Sequence, residues 1–318
     1  MNPIKSALAA ALLSLAVAAP ASALVITADY SDATVSGGIY QLGSGQLQSG
    51  PGGGATDVTA VFKANVDAAF TYLQNSIKVA WNETIKFKLF DFTGLGADGD
   101  SAITGLDGNN RPNNSTIRLD SSAASSFFVD STPFDNSEYS MNFVDASLGG
   151  GTVNVGRYGS ALVGGPAANR TDVLTLLLHE LLHSTGFNFL DRFDAAAGGA
   201  VGDPNRKITI PSSLSGLPSD FDLPFLSASD HVDPTAPGSP FTHALTAEPS
   251  FGANDRWLPT GAELLALCVV EGCAANQVNP NLVGANVNAV PEPGSLVLMA
   301  MAGVGLFATT RRRKASQA

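Results

Sequence analysis

His179-Glu180-Leu181-Leu182-His183 is the stretch of this chain where residue types and spacing point to a definite chemistry. On an α-helix, residues four apart lie about 40° apart around the axis and about 6 Å apart along it, so both imidazoles can face one cation. Glu180 sits about 100° round from His179, which leaves its carboxylate beside the metal rather than bonded to it. There it can deprotonate a water on Zn²⁺ and afterwards return the proton to a leaving amine. The metal lowers the pKa of that water toward about 7 and polarises the scissile carbonyl. These residues therefore predict peptide hydrolysis, with Glu180 as general base and His179 and His183 as metal ligands. The competing reading is a core helix with two satisfied histidines and a solvent-facing Glu.

A helix must carry this motif, and the sequence supplies one. Thr171 and Asp172 offer a hydroxyl and a carboxylate to cap free N–H groups, an apolar run leads through Leu178 to His183, and Gly186 supplies a left-handed stop. Upstream, Leu24 to Ala28 reads as a strand, and the Gly, Ser and Gln of 37–56 read as a loop. Val58, Val61, Phe62, Val66, Ala69, Phe70 and Leu73 then recur at helical spacing, and Thr84 to Phe90 alternates as a strand does. Gly94 to Ser115 reads as a long surface loop, whose Asp98, Asp100 and Asp107 could hold calcium or simply lie in solvent. Gly149 to Gly156 looks like a bend into a last strand ahead of the motif helix. Beyond it, 195–249 is punctuated by Gly, Pro and Ser, with regular structure expected only near Leu223 to Leu226, and Pro259 to Val270 reads as a helix.

The two ends carry their own signals. Met1 to Lys5 gives a positive start, Ala7 to Ala19 an apolar middle, and Pro20-Ala21-Ser22-Ala23 a small-residue cleavage site, so residues 1–23 read as a signal peptide. Val290-Pro291-Glu292-Pro293 precedes an apolar run from Ser295 to Thr310, closed by Arg311-Arg312-Arg313-Lys314. Such a run spans about 24 Å, short for a bilayer but adequate for a thin one, with the basic cluster on the cytoplasmic side. Between the ends, 44% hydrophobic and 14% charged residues with 33 Gly describe a globular, loop-rich chain rather than a disordered one. Losing the five basic residues of the ends takes the formal charge from −11 to about −16, which argues against nucleic-acid or anionic-membrane partners. Cys268 and Cys273 are the only cysteines, and their spacing allows a small disulfide in an oxidising compartment. With no Cys in the N-terminal half, zinc blockage by a pro-segment thiol is excluded.

The C-terminal tail closely resembles the PEP-CTERM sorting signal of Gram-negative bacteria, the resemblance covering residues 286–318. It implies recognition by an exosortase-type enzyme cutting near Pro293, an extracellular or cell-surface destination, and a transient stay in the inner membrane. An ordinary C-terminal anchor is the alternative.

His179-Glu-Leu-Leu-His183-Ser-Thr-Gly186 resembles the metzincin metallopeptidases. For the fold this implies an α/β (α+β) zincin within residues 24–285: a twisted mixed sheet with two helices above a metal cleft, then a loop-rich C-terminal subdomain. The family's third His would fall at Phe189, which cannot bind zinc. The leishmanolysin-like group places that His after a long insertion and before a methionine-bearing turn. Ser229-Asp230-His231-Val232-Asp233 resembles that segment, and Ala244 to Pro249 the turn, with Thr246 where Met is expected. His231 is thus the favoured third ligand, His243 the alternative, and Asp191, Asp194 or Glu263 the carboxylate options. Asp172, Asp230 and Asp233 are candidate partners for imidazole N–H groups, with solvent exposure as the default for each. The resemblance also implies an edge strand presented to an extended peptide, placed at Val153 to Val155, where an ordinary core strand is the alternative. A different class of function competes: a non-catalytic exported matrix or surface protein with a degenerate metal site, motivated by Phe189 and Thr246.

Overall fold

The apolar spacing of residues 58–73 folds as expected into helix α1, Val58–Ser76. The computed structural model describes residues 24–30, 33–36, 39–42, 45–46, 58–90, 98–120, 127–188, 190–199, 202–227, 229–247 and 251–281. They fall within one compact unit, Ala23–Asn286, whereas the second unit, Met1–Ser22 with Val287–Ala318, lies outside them, as does Phe189. The expected signal peptide, residues 1–23, and the C-terminal tail therefore lie outside the described residues, among which no helix is long and apolar enough to cross a membrane.

The architecture is mixed α/β, with several sheets and few helices. Strands β1 (Leu24–Asp29), β5 (Trp81–Phe90) and β7 (Pro112–Asp120) are parallel neighbours, and β6 (Gly99–Leu106) closes the sheet antiparallel to β7. A parallel pair needs a long crossover, and α1 provides it between β1 and β5. In β5, Trp81, Glu83, Ile85 and Phe87 are buried while Asn82 is exposed, so one face is core, and Phe62 of α1 packs edge-on against Phe87.

The expected loop over 94–115 is instead largely the β6–β7 hairpin. Its turn is held by the Asp107 carboxylate, which accepts the Asn109 and Arg111 N–H groups at 2.7 and 2.9 Å. Edge strand β6 has one paired side and little core to cover, so it forms with few apolar residues and leaves little periodicity to read. The region 37–56 likewise contains short strands β3 (Ile39–Leu42) and β4 (Gly45–Gln46), joined to β2 (Ala33–Ser36).

A short parallel pair, β8 (Phe127–Phe128) with β11 (Thr171–Asp172), precedes the motif helix. Strands β9 (Tyr139–Leu148) and β10 (Gly151–Ala161) form a long hairpin turning on Gly149 and Gly150, whose φ values of 58° and 79° favour glycine. Val153 to Asn154 pair with β9 there, in a different sheet from the one the motif helix packs on. β10 is not the last strand. β12 (Lys207–Ile210) pairs with β13 (Phe221–Pro224), and β14 (Asp255–Trp257) with β10.

The motif helix is α2, Val173–Thr185, followed by α3 (Asp191–Ala196), α4 (Ser212–Ser215) and α5 (Gly261–Glu271). The segment 195–249 thus holds more regular structure than its punctuation suggests, in pieces too short to show a period. Pro259 to Val270 is helical nearly as expected, its start fixed by a Thr260–Glu263 capping box. Cys268 and Cys273 are disulfide-bonded, closing the end of α5.

Candidate metal centre

All of α2 is buried, as a helix apolar around its circumference must be. Leu174, Leu177, Leu178, Leu181 and Leu182 are at most 3% exposed, and at about 1.5–3 kcal/mol each their burial outweighs any single cap. The helix packs on β6 and β7, with α1 beside it. Asp172 caps it, accepting from Thr175 N at 3.0 Å and Thr175 Oγ1 at 2.7 Å. The same carboxylate receives buried Arg256 at 2.9 and 3.0 Å, and Arg256 also pairs with Asp130 at 2.6 Å. Asp172 is therefore a buried cap, not an exposed acid.

Gly186 ends the helix as expected, but its φ of 177° is extended rather than left-handed. Glycine is needed there for space, because a Cβ would lie 2.3 Å from Leu267 Cδ1 on α5.

His179 and His183 present their Nε2 atoms 3.0 Å apart, and His231 Nε2 lies 3.3 Å from that of His179. Four tetrahedral bonds of about 2.05 Å would place ligand atoms about 3.3 Å apart, so these spacings suit one metal ion. The three ligand atoms lie within 4.8 Å of one another, and this triad can hold a metal ion; no other such group forms among the described residues. The outer nitrogens are anchored: His179 Nδ1 to the Leu245 carbonyl at 3.2 Å, His183 Nδ1 to the Phe187 carbonyl at 2.6 Å, and His231 Nδ1 to Ser229 Oγ at 2.6 Å. A carbonyl only accepts, so Nδ1 of His179 and His183 carries hydrogen and Nε2 is the nitrogen left to donate a lone pair.

Asp230, nearly buried, lies 3.2 Å from His183 Nδ1 and 3.3 Å from His231 Nδ1. Solvent exposure, the default from sequence, does not hold for it. Asp233 instead closes a local turn onto Thr235, at 2.8 Å to its N–H.

Electrostatics follow from this crowding. Burial, then the neighbouring His183 and His231, drive His179 well below the ordinary histidine range. Burial alone would lower His183 too, but Asp230 outweighs it and lifts the imidazole to about 9. Burial would raise Asp230, yet His183 and His231 hold it far below the carboxylate range. With Nδ1 of His179 and His183 both given to carbonyls, their Nε2 lone pairs face each other at 3.0 Å and repel unless a proton or a metal ion lies between them. Burial pushes Glu180 up to about 8, with Asp100 and Asp230 adding to the rise and His183 and Arg118 opposing it. Glu180 faces the start of β6, where a Cβ on Gly99 would stand 3.4 Å from its Oε1.

The turn under the site is a 3₁₀ turn, Leu245–Ala247, wholly buried. Glu263 of α5 fixes it, its carboxylate accepting Leu245 N at 3.1 Å, Thr246 N at 2.7 Å and Thr246 Oγ1 at 2.7 Å. Glu263 is therefore committed away from the triad, and Asp194 pairs with Arg206 at 2.7 Å. Asp191 opens the exposed end of α3. His243 is also elsewhere: its ring stacks on Tyr158 at 4.2 Å and on Trp257 at 5.8 Å. Nor do Asp98, Asp100 and Asp107 form a calcium cluster; Asp100 pairs with Arg118 across the hairpin.

Sequence reasoning missed Gly99 beside Glu180, Phe251 edge-on to His179 at 5.1 Å, and Glu263 as the anchor of the turn. Only Glu263 left a trace, as the fourth residue of Thr260-Gly-Ala-Glu.

Fold and site together define a mixed α/β protein with a three-histidine centre, two of its rings buried and the third partly so. Its C-terminus carries a PEP-CTERM protein-sorting motif, the family model matching residues 289–314. That motif is recognised by exosortase and implies export and surface sorting in Gram-negative bacteria. No curated protein and no solved structure matches the chain.

Proposed function

We propose that the chain is an exported zinc-dependent endopeptidase of metzincin-like architecture, with His179, His183 and His231 as metal ligands and Glu180 as general base. The observation that carries this is the convergence of three imidazole Nε2 atoms at 3.0 and 3.3 Å on a helix that also presents a buried carboxylate. Three nitrogen ligands leave a fourth position open, the arrangement of a catalytic rather than a structural zinc site. When bound, Zn²⁺ supplies a Lewis acid that polarises a carbonyl and acidifies water.

Glu180 does the proton work. Burial makes the Glu180 carboxylate more basic than in water, the direction a group that takes a proton and hands it to a leaving nitrogen requires. β6 supports peptide recognition: among the described residues it pairs only with β7, so its outer edge offers main-chain groups to an extended substrate. This replaces Val153 to Val155 as the edge beside the site. Thr246 in place of Met is compatible with the reading, because the turn is held by Glu263 and no metal contact is asked of residue 246.

The test is metal content paired with one substitution. Purified protein should carry about one zinc per chain, and Glu180→Ala should keep that metal while losing cleavage of a casein-type substrate. Metal without cleavage in the unaltered chain would favour the non-catalytic surface protein, and no metal would overturn the peptidase reading and leave that surface protein with a degenerate site.

A further inference from the structure

We propose that Asp230 is the positioning residue and counter-charge of this centre, a single carboxylate that couples the helix ligand His183 to the loop ligand His231. The proposal rests on reading the triad as a metal site. Asp230 Oδ2 lies 3.2 Å from His183 Nδ1 and Oδ1 lies 3.3 Å from His231 Nδ1, so one carboxylate oxygen stands beside each ring. Both rings also have shorter, neutral partners, the Phe187 carbonyl and Ser229 Oγ, each at 2.6 Å. Those partners set ring orientation. What they cannot supply is charge.

Charge is what a buried triad lacks, since three neutral imidazoles bring none to offset a divalent ion taken out of water. A carboxylate behind an imidazole raises the ligand's basicity and stabilises the bound cation. The cation bound to the neighbouring Ser229 carbonyl does not cancel it: Arg206 donates to that carbonyl at 2.7 Å and is paired with Asp194 at 2.7 Å. Residues 183 and 231 belong to separate segments, a helix and a loop, so this one side chain ties metal capture to the seating of the loop against the helix.

Substitution separates charge from shape. Asp230→Asn keeps the size but offers one oxygen, so it can accept from one imidazole while its amide opposes the other. Zinc titration of the full chain against a chromophoric chelator should show Asp230→Asn about 10–100-fold weaker than the unaltered chain, with Ser229→Ala changed by less than about threefold. Asp230→Asn binding as tightly as the unaltered chain would overturn the proposal, as would an equal loss from Ser229→Ala. An unaltered chain that binds no zinc would instead overturn the metal-site reading beneath it.

A second readout follows the imidazoles themselves. In ¹H–¹⁵N spectra of the zinc-loaded chain, His183 and His231 should both carry hydrogen on Nδ1, an observation that needs no variant to fold. In Asp230→Asn both resonances should move while that of His179, held by the Leu245 carbonyl, stays. A missing Nδ1 proton on either ring, or movement of one ring alone, would show that Asp230 does not couple the two.

Discussion

The two halves of the centre are built in opposite ways. His179 and His183 are placed by one turn of a helix, so four residues of sequence fix their relation, and the packing of α2 fixes the rest. His231 stands on a segment with little regular structure, held by one local bond, Leu226 N to the His231 carbonyl at 2.9 Å, and by contacts to distant segments: Val232 N to the Thr246 carbonyl at 3.1 Å and Arg206 to the Ser229 carbonyl at 2.7 Å. Helical geometry gives two ligands locally. The third depends on many contacts, each of which can be removed alone.

The sharpest way to break this comparison is to remove ligands from each half. His183→Ala and His231→Ala should each weaken zinc binding well beyond the about 10–100-fold typical of outer partners, whereas His243→Ala, on the aromatic stack, should leave it within about threefold. Chelator competition checks the three. An effect of His243→Ala exceeding that of His231→Ala would exchange the two assignments.

Next in size are the supports. Asp172→Ala removes the cap of α2 and one of the two carboxylates paired with buried Arg256, leaving Asp130 as the other, and should cost about 2–4 kcal/mol in chemical denaturation. Glu263→Ala orphans the buried N–H groups of Leu245, Thr246 and Thr260 and should cost about 2–3 kcal/mol. It should also weaken zinc binding, because the turn carrying the carbonyl partner of His179 is freed. Equal zinc affinity after Glu263→Ala would mean that the loop half is more robust than its contacts indicate.

The smallest effect is a pH slope behind the site. Glu271 is raised from 4.5 to about 7, burial outweighing Arg192 and Arg111. Between those values the folded chain holds a proton that the unfolded chain has released, so this contribution to stability is full at low pH and lost as pH rises through about 7. Glu271→Gln should flatten the fall in unfolding free energy between about pH 5 and 7 relative to the unaltered chain. An unchanged slope would place the titration elsewhere.

What could be read from the sequence divides along the same line. Local periodicity and capping chemistry gave α1, α2 and α5, and spacing within one helix gave His179, Glu180 and His183. His231 is reached only through a resemblance in its surroundings, and Asp230 beside it can be named as a candidate imidazole partner but not told from an exposed acid, because burial is a tertiary fact. Strand β6 looks like a loop in the sequence, since an edge strand rich in Gly, Asp and Ser shows no alternation to detect. Gly186 was placed correctly for the wrong reason: the sequence shows a glycine after a helix, and only the packing shows Leu267 filling the space a Cβ would need.

Anomalous diffraction at the zinc edge from crystals of the zinc-loaded chain tests the central claim most directly. The account predicts a single peak within about 2.1 Å of Nε2 of His179, His183 and His231. A peak bound by His179 and His183 with His243 or a carboxylate completing the site, or no peak between the three rings, would contradict it.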